Sequence, residues 1–139
     1  MQSAPKTAPV SKASFRIGAI MSALAALFLL FDSVIHIMVV APVVEGFAEL
    51  GYPVSLSLGI GILELLCIAI YVFPRTSVLG AILLTGYLGG AVAAQVRIGS
   101  PLFSHTLFPV YVGLLVWGAL FLREDRLRAL IPLRSPHPG

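Results

Sequence analysis

Four apolar runs, each long enough to cross a bilayer, leave this chain few possible folds. They cover residues 17–40, 56–73, 78–96 and 105–122, roughly 18 to 24 residues apiece. At about 1.5 Å of rise per residue, some 20 residues of helix cover the hydrocarbon core. Lipid offers no hydrogen bonds, so each backbone amide must pair within its own segment, and helix is the form that does this. Strands of a membrane barrel would be shorter and would alternate polar with apolar residues, a pattern these runs lack. Composition excludes a water-soluble fold: 58% of the 139 residues are hydrophobic and 11% are charged, against about 25% charged in soluble domains. The expectation is an all-α integral membrane four-helix bundle over residues 15–134. Residues 1–14 read as a disordered N-terminal tail and 135–139 as a C-terminal tail. The length suits one domain, and no internal repeat is visible.

The connections carry turn and cap signals. Pro42 follows the first run, and Gly51, Tyr52 and Pro53 precede the second, with Ser55 as its candidate N-cap. Pro74 to Ser77 forms a tight turn, and Gly99-Ser100-Pro101 breaks the chain after the third run. Ser104 is a candidate cap for the fourth, where Pro109 predicts a kink or a later helix start. The first run exceeds the apolar stretch of about 7–15 residues in a secretory signal and contains Asp32 and His36, so it reads as a span.

Basic residues set the expected orientation. With the N-terminus in the cytoplasm, Lys6, Lys12, Arg16, Arg75, Arg123, Arg126, Arg128 and Arg134 all lie on the cytoplasmic side, and Arg97 alone lies opposite. The C-terminus is then cytoplasmic too. Residues 41–54, with Glu45 and Glu49, read as an exterior loop. The net charge of +3 is thus a topology signal. No basic face with interleaved aromatics points to nucleic acid, while the arginines of 123–134 suit anionic lipid headgroups.

Ionisable residues inside the runs are the candidates for function, because a carboxylate at the centre of a bilayer costs about 2.5–3.5 kcal/mol on insertion scales. Asp32 and His36 are four apart and share a helix face, about 40° from each other. Glu64 lies in the middle of the second run, with Ser57 and Gly61 on its face. Gln95 and Arg97 end the third run and His105 starts the fourth. All six fall in the outer half of the bundle. The expectation is that Asp32, His36, Glu64, Arg97 and His105 face one another around one cavity, with Gln95 beside them, as ligand-binding or proton-exchanging groups. The alternative is structural: interhelical polar pairs, worth about 0.6 kcal/mol each, that set which helices meet. His36, Glu64 and His105 match no local metal-ligand spacing, so no metal is expected.

Small residues suggest how the helices pack. Gly86 and Gly90 form a GxxxG that Ala94 continues, which predicts close backbone approach along one face of the third helix. Cys67 is the only cysteine and reads as a packing residue; without a CxxC there is no dithiol chemistry. Tyr52, Tyr71, Tyr111 and Trp117 read as interface anchors or packing residues.

The segments "GYP", "GILEL", "PRTSVLGAILLTGYLGGA" and "HTLFPVYVG", in this order, resemble the DoxX-like family of small bacterial membrane proteins. The similarity covers residues 15–134. It implies a compact four-helix bundle, a multi-pass protein of the bacterial cytoplasmic (inner) membrane, and motif positions for Glu64, Arg97 and His105. The family is named for a subunit associated with thiosulfate:quinone oxidoreduction and a terminal oxidase. Relatives are tied to redox complexes, distant eukaryotic ones to receptor assembly, and most have no assigned activity. The resemblance therefore leaves two function classes. One is a pocket for a quinone-like or lipid-like ligand, with quinone the cofactor class to expect and at most a subunit role in an oxidoreductase system. The other is a non-enzymatic assembly, chaperone or accessory subunit with a structural polar cluster. Expected partners are membrane lipid and either a protein partner or a second copy of the chain.

Overall fold

The computed structural model describes residues 9–131, and among these there is helix but no strand. Six α-helices follow in order: α1 (Lys12–Met38), α2 (Ala41–Leu50), α3 (Ser57–Val72), α4 (Ser77–Arg97), α5 (Phe108–Arg123) and α6 (Asp125–Arg128). A turn of 3-10 helix, Val54–Leu56, leads into α3, and a π-helical turn, Leu102–Thr106, leads into α5. The spans formed by α1, α3, α4 and α5, with the two lead-in turns, are all long and apolar enough to cross a membrane. Each helix packs beside the next around a ring: α1 on α3, α3 on α4, α4 on α5, and α5 back on α1. The short turn between Val72 and Ser77 makes α3 and α4 antiparallel neighbours.

Only 28–33% of each apolar span is buried inside the bundle. The remainder, including Ile20, Leu27, Phe31, Leu66, Ile82 and Leu114, points outward. A helix that is apolar on every side belongs in lipid, because water around such a surface would oppose the fold that creates it. The inner face holds a core of Ala25, Leu29, Ile68, Tyr71, Leu84, Val116 and Leu120 with Cys67 among them. Tyr71 is a buried hub and not an interface anchor. Its hydroxyl donates to the Val116 carbonyl at 3.1 Å and accepts from Ser22 at 2.9 Å, joining α3, α5 and α1. Trp117 likewise donates from Nε1 to Thr85 Oγ1 at 2.7 Å, joining α5 to α4.

Several boundaries differ from the expected ones. α1 starts at Lys12 because the Ser11 hydroxyl accepts from Ser14 N, so residues 12–14 of the expected tail are helical. Residues 1–8 and 135–139 of the two expected tails lie outside the described residues. The segment expected as an exterior loop contains α2, an amphipathic helix that buries Val43 and Phe47 and exposes Glu45 and Glu49. It lies over the end of the bundle that carries Asp32 and His36, its Phe47 ring meeting the His36 ring edge-on at 5.9 Å. The turn into α2 is made at Val39, whose φ of 52° is left-handed, unusual for a β-branched residue. Ser55 caps nothing: it lies inside the 3-10 turn, and α3 begins without a side-chain cap. Ser104 lies within the π turn, bonded to His105, and α5 starts later, at Phe108, with Pro109 in its first turn. Proline fits there because the first turn of a helix leaves its N–H groups unpaired.

Close backbone approach occurs at glycines other than those expected. A Cβ on Gly61 would lie 2.8 Å from the Ser33 carbonyl oxygen of α1, and one on Gly18 would lie 2.7 Å from the Ala119 carbonyl of α5. A Cβ on Gly80 would lie 2.3 Å from Tyr71 N and Cα. At Gly86 and Gly90 such an atom would meet nothing within 4 Å. The GxxxG is therefore not a contact between helices within this bundle, and of that stripe only Ala94 is buried. The pattern requires only smallness, which serves a tight contact or an empty space equally well.

Candidate functional site

The α1–α3 contact creates the polar site. Ser57 Oγ donates to the His36 carbonyl at 2.7 Å, and Gly61, one turn on, lets the α3 backbone lie against α1. Glu64 follows on the same face and arrives beside Asp32 and His36. The stripe Ser57–Gly61–Glu64 is thus a close-packed seam that delivers a carboxylate to its end. A ring nitrogen of His36 and one carboxylate oxygen each of Asp32 and Glu64 lie within 4.8 Å of one another.

Each member is held differently. His36 Nδ1 lies 2.8 Å from the Asp32 main-chain carbonyl and 3.5 Å from the Asp32 carboxylate, both within one turn of α1. Donation from Nδ1 to the carbonyl orients the ring and leaves the lone pair on Nε2. The Asp32 and His36 side chains are half-buried, at 33% and 17% exposure. Glu64 is fully buried. Its Oε2 accepts a hydrogen bond from Tyr87 of α4 at 3.1 Å, and its Oε1 has no hydrogen-bond partner among the described residues. Leaving a buried polar atom unpaired costs about 1–3 kcal/mol, more when it is charged.

These groups form the polar part of a cavity of about 520 Å³ lined by all four spanning helices. Apolar walls come from Phe28 and Leu29 of α1, Ile60 and Leu63 of α3, and Phe108 and Val112 of α5. Phe47, Leu50 and Tyr52 from α2 and its flank close one end. Gly86, Gly90 and Ala91 form the α4 wall, and the missing side chains there are the source of the space. Gln95 lines the cavity one turn beyond, its Oε1 accepting from Ser100 Oγ.

Of the six polar residues expected to converge, four do: Asp32, His36, Glu64 and Gln95. Arg97 and His105 do not line the cavity. Arg97 is exposed; it donates to the Leu50 carbonyl, and its guanidinium sits 5.0 Å over the Tyr52 ring. It therefore ties α4 to the end of α2 and does not offset the acids. His105 is exposed in the π turn and bonds to Ser104 through Nδ1. Arg97 ends α4 and His105 lies in the turn before α5, and both point away from the cluster. Tyr87, which touches Glu64, was missed from sequence. Its signal was available, since Tyr87, Gly90, Ala91 and Ala94 recur at helical spacing on one face with Gln95.

The arrangement can accommodate a molecule with an apolar body and a polar end. The body would have apolar walls on three sides, and the end would meet an acceptor oxygen without a partner, a tyrosine hydroxyl and an imidazole. A family model described as the DoxX-like family matches residues 20–119, more than half of the chain. No curated protein and no solved structure matches it.

Proposed function

The chain belongs to the DoxX-like family, and from that premise we propose that it is a membrane-embedded binding protein whose cavity takes a small quinone-like or lipid-like ligand. One observation carries this reading: a cavity of about 520 Å³ reaches a fully buried carboxylate with one unpartnered oxygen. The volume lies within the range of about 300–1,000 Å³ in which small-molecule sites fall. In the alternative, an accessory subunit with a purely structural polar cluster, the acids would be dry and fully paired. The unpartnered Glu64 Oε1 and the space in front of Gly90 favour the binding role. A place as a subunit of a membrane redox system follows from the resemblance, with the ligand as the mobile carrier.

The test is what the protein retains. Protein purified from native membranes in mild detergent is expected to carry one quinone-like or lipid-like compound per chain, identified by mass spectrometry of an organic extract. Glu64→Gln is expected to fold, since an amide still accepts from Tyr87, and to lose most of that compound. An extract indistinguishable from bulk membrane lipid, in wild type and variant alike, rejects the reading.

The same proposal places the cavity in the outer half of the bacterial cytoplasmic membrane, with both termini in the cytoplasm. Support comes from Lys12, Arg16, Arg75, Arg123, Arg126 and Arg128 at one end of the described bundle against Arg97 at the other. In a Cys67→Ala background, a membrane-impermeant thiol reagent applied to intact spheroplasts is expected to label Glu45→Cys and to spare Arg75→Cys. The reverse pattern inverts the topology.

A further inference from the structure

We propose that Asp32, His36 and Glu64 bind a divalent first-row transition-metal cation at the polar end of the cavity. This deepens the binding role above by naming what occupies that end. Three donors from two helices, an imidazole nitrogen and two carboxylate oxygens, already lie within 4.8 Å of one another. Three donors each about 2.1 Å from a shared ion stand roughly 3.4–3.6 Å from one another. Closing on the ion therefore asks at most about 0.7 Å of each donor atom, a shift that side-chain torsions can supply without moving the helices.

The second observation is independent of the clustering. Glu64 is fully buried, a carboxylate oxygen of it stands in the cluster, and its Oε1 has no hydrogen-bond partner among the described residues. An ion supplies that partner. Charge points the same way. Two carboxylates meet here in a membrane-spanning bundle, yet no lysine or arginine lines the cavity, and Arg97 is engaged with Leu50 and Tyr52. A divalent cation neutralises both acids without a buried cationic side chain. With Nδ1 on the Asp32 carbonyl, Nε2 would be the metal-binding nitrogen, and that carbonyl would be the second-layer contact that orients it. The mixed nitrogen and oxygen donor set suits zinc, iron(II) or manganese better than calcium or copper(I).

Local spacing motifs cannot reveal such a site. Asp32 and His36 are one turn apart, but the third donor comes from another helix, 28 positions further along the chain. His105, the residue weighed with His36 and Glu64 from sequence, lies in the π turn away from the cluster, and Asp32 is the third donor beside them. Three protein donors also leave a coordination position open toward the cavity, where the polar end of a bound molecule can sit.

The experiment uses the full chain in detergent, stripped with a chelator, and cobalt(II) as the probe. Wild type is expected to bind one cobalt(II) per chain, to develop d–d absorption in the visible, and to release the cobalt to added zinc. His36→Gln, at a half-buried position, is expected to remain monodisperse and to bind about 100-fold more weakly, the upper end of what losing even an outer-layer support costs a metal site. Glu64→Gln is expected to lose affinity similarly. Wild type that shows no cobalt(II) band, or variants that bind as well as wild type, overturn the proposal. The organic extract is read on the same preparation, so the two ideas fail separately. Retained organic compound without cobalt(II) binding rejects the metal site alone, whereas stoichiometric cobalt(II) binding without retained compound upholds the metal site and rejects the organic ligand.

Discussion

Gly80→Leu is expected to destroy the cooperative thermal transition of the purified protein, and Gly80→Ala to lower its midpoint sharply. The added Cβ alone would stand 2.3 Å from Tyr71 N and Cα. Those are backbone atoms, so no rotamer change relieves the overlap. Nor can the helices part. The turn between α3 and α4 is pinned by Thr76 Oγ1 on the Ile70 carbonyl at 2.7 Å, by Ser77 Oγ on the Phe73 carbonyl at 2.9 Å, and by Gly80 N on the Thr76 carbonyl at 2.8 Å. Pushing α4 outward would also pull on Tyr71, whose hydroxyl joins three helices. Overpacking a well-packed site typically costs about 1–3 kcal/mol, and a backbone-on-backbone clash lies at or beyond the top of that range. Differential scanning fluorimetry in one detergent compares the variants directly. Equal midpoints for Gly80→Ala and Gly90→Ala would show that α3 and α4 do not meet at Gly80.

Gly90→Leu is expected to do the opposite: leave the fold intact and empty the cavity. A Cβ there meets nothing within 4 Å, and the residue lies in the cavity wall between Tyr87 and Gln95. Replacing a helical glycine removes about 0.8–1.0 kcal/mol of unfavourable helix propensity, so stability is expected to hold or rise slightly. The leucine side chain then takes space that a bound molecule would need. An overpacking cost of about 1–3 kcal/mol, falling now on the ligand, corresponds to a loss of roughly 5- to 150-fold in affinity. The measurement is the yield of retained compound per chain beside the melting midpoint. Full retention at unchanged stability would place the ligand elsewhere; a collapse in stability would restore Gly90 as a packing contact.

The two glycines show what sequence reading can and cannot resolve. Both are small residues inside an apolar run, and Gly90 had the better motif. The distinction lies in the partner helix: α3 presents its Tyr71 backbone to Gly80, whereas no neighbour crosses near Gly90. Depth and direction divide in the same way. Asp32, His36, Glu64, Gln95, Arg97 and His105 can all be ranked along the membrane normal from their positions in the runs. Arg97 and His105 left the cluster because depth does not state which way a side chain points, and the connections around α2 and the π turn set that. α2 itself was legible in principle. Val43 and Phe47 are four apart, Glu45 and Glu49 are four apart, and the two pairs lie on opposite faces. Its ten residues lie below span length, so a search for spans passes over it.

Sequence by itself determined that the chain is helical, that it has four spans long and apolar enough to cross a membrane, and where along those spans Asp32 and Glu64 lie. These follow from local physics: lipid leaves a backbone no partner but its own helix, and the position of a residue along that helix sets its depth. Tertiary structure alone decided which faces meet. The Ser57–Gly61 seam brought Glu64 to Asp32 and His36, the glycines of α4 became empty volume, and Arg97 turned to Leu50. A helix that is apolar on every side carries little periodic signal for its own rotation, because lipid and a neighbouring helix reward the same residues. That rotation is set by a few close contacts between residues far apart in the chain, and the site exists only after those contacts have formed.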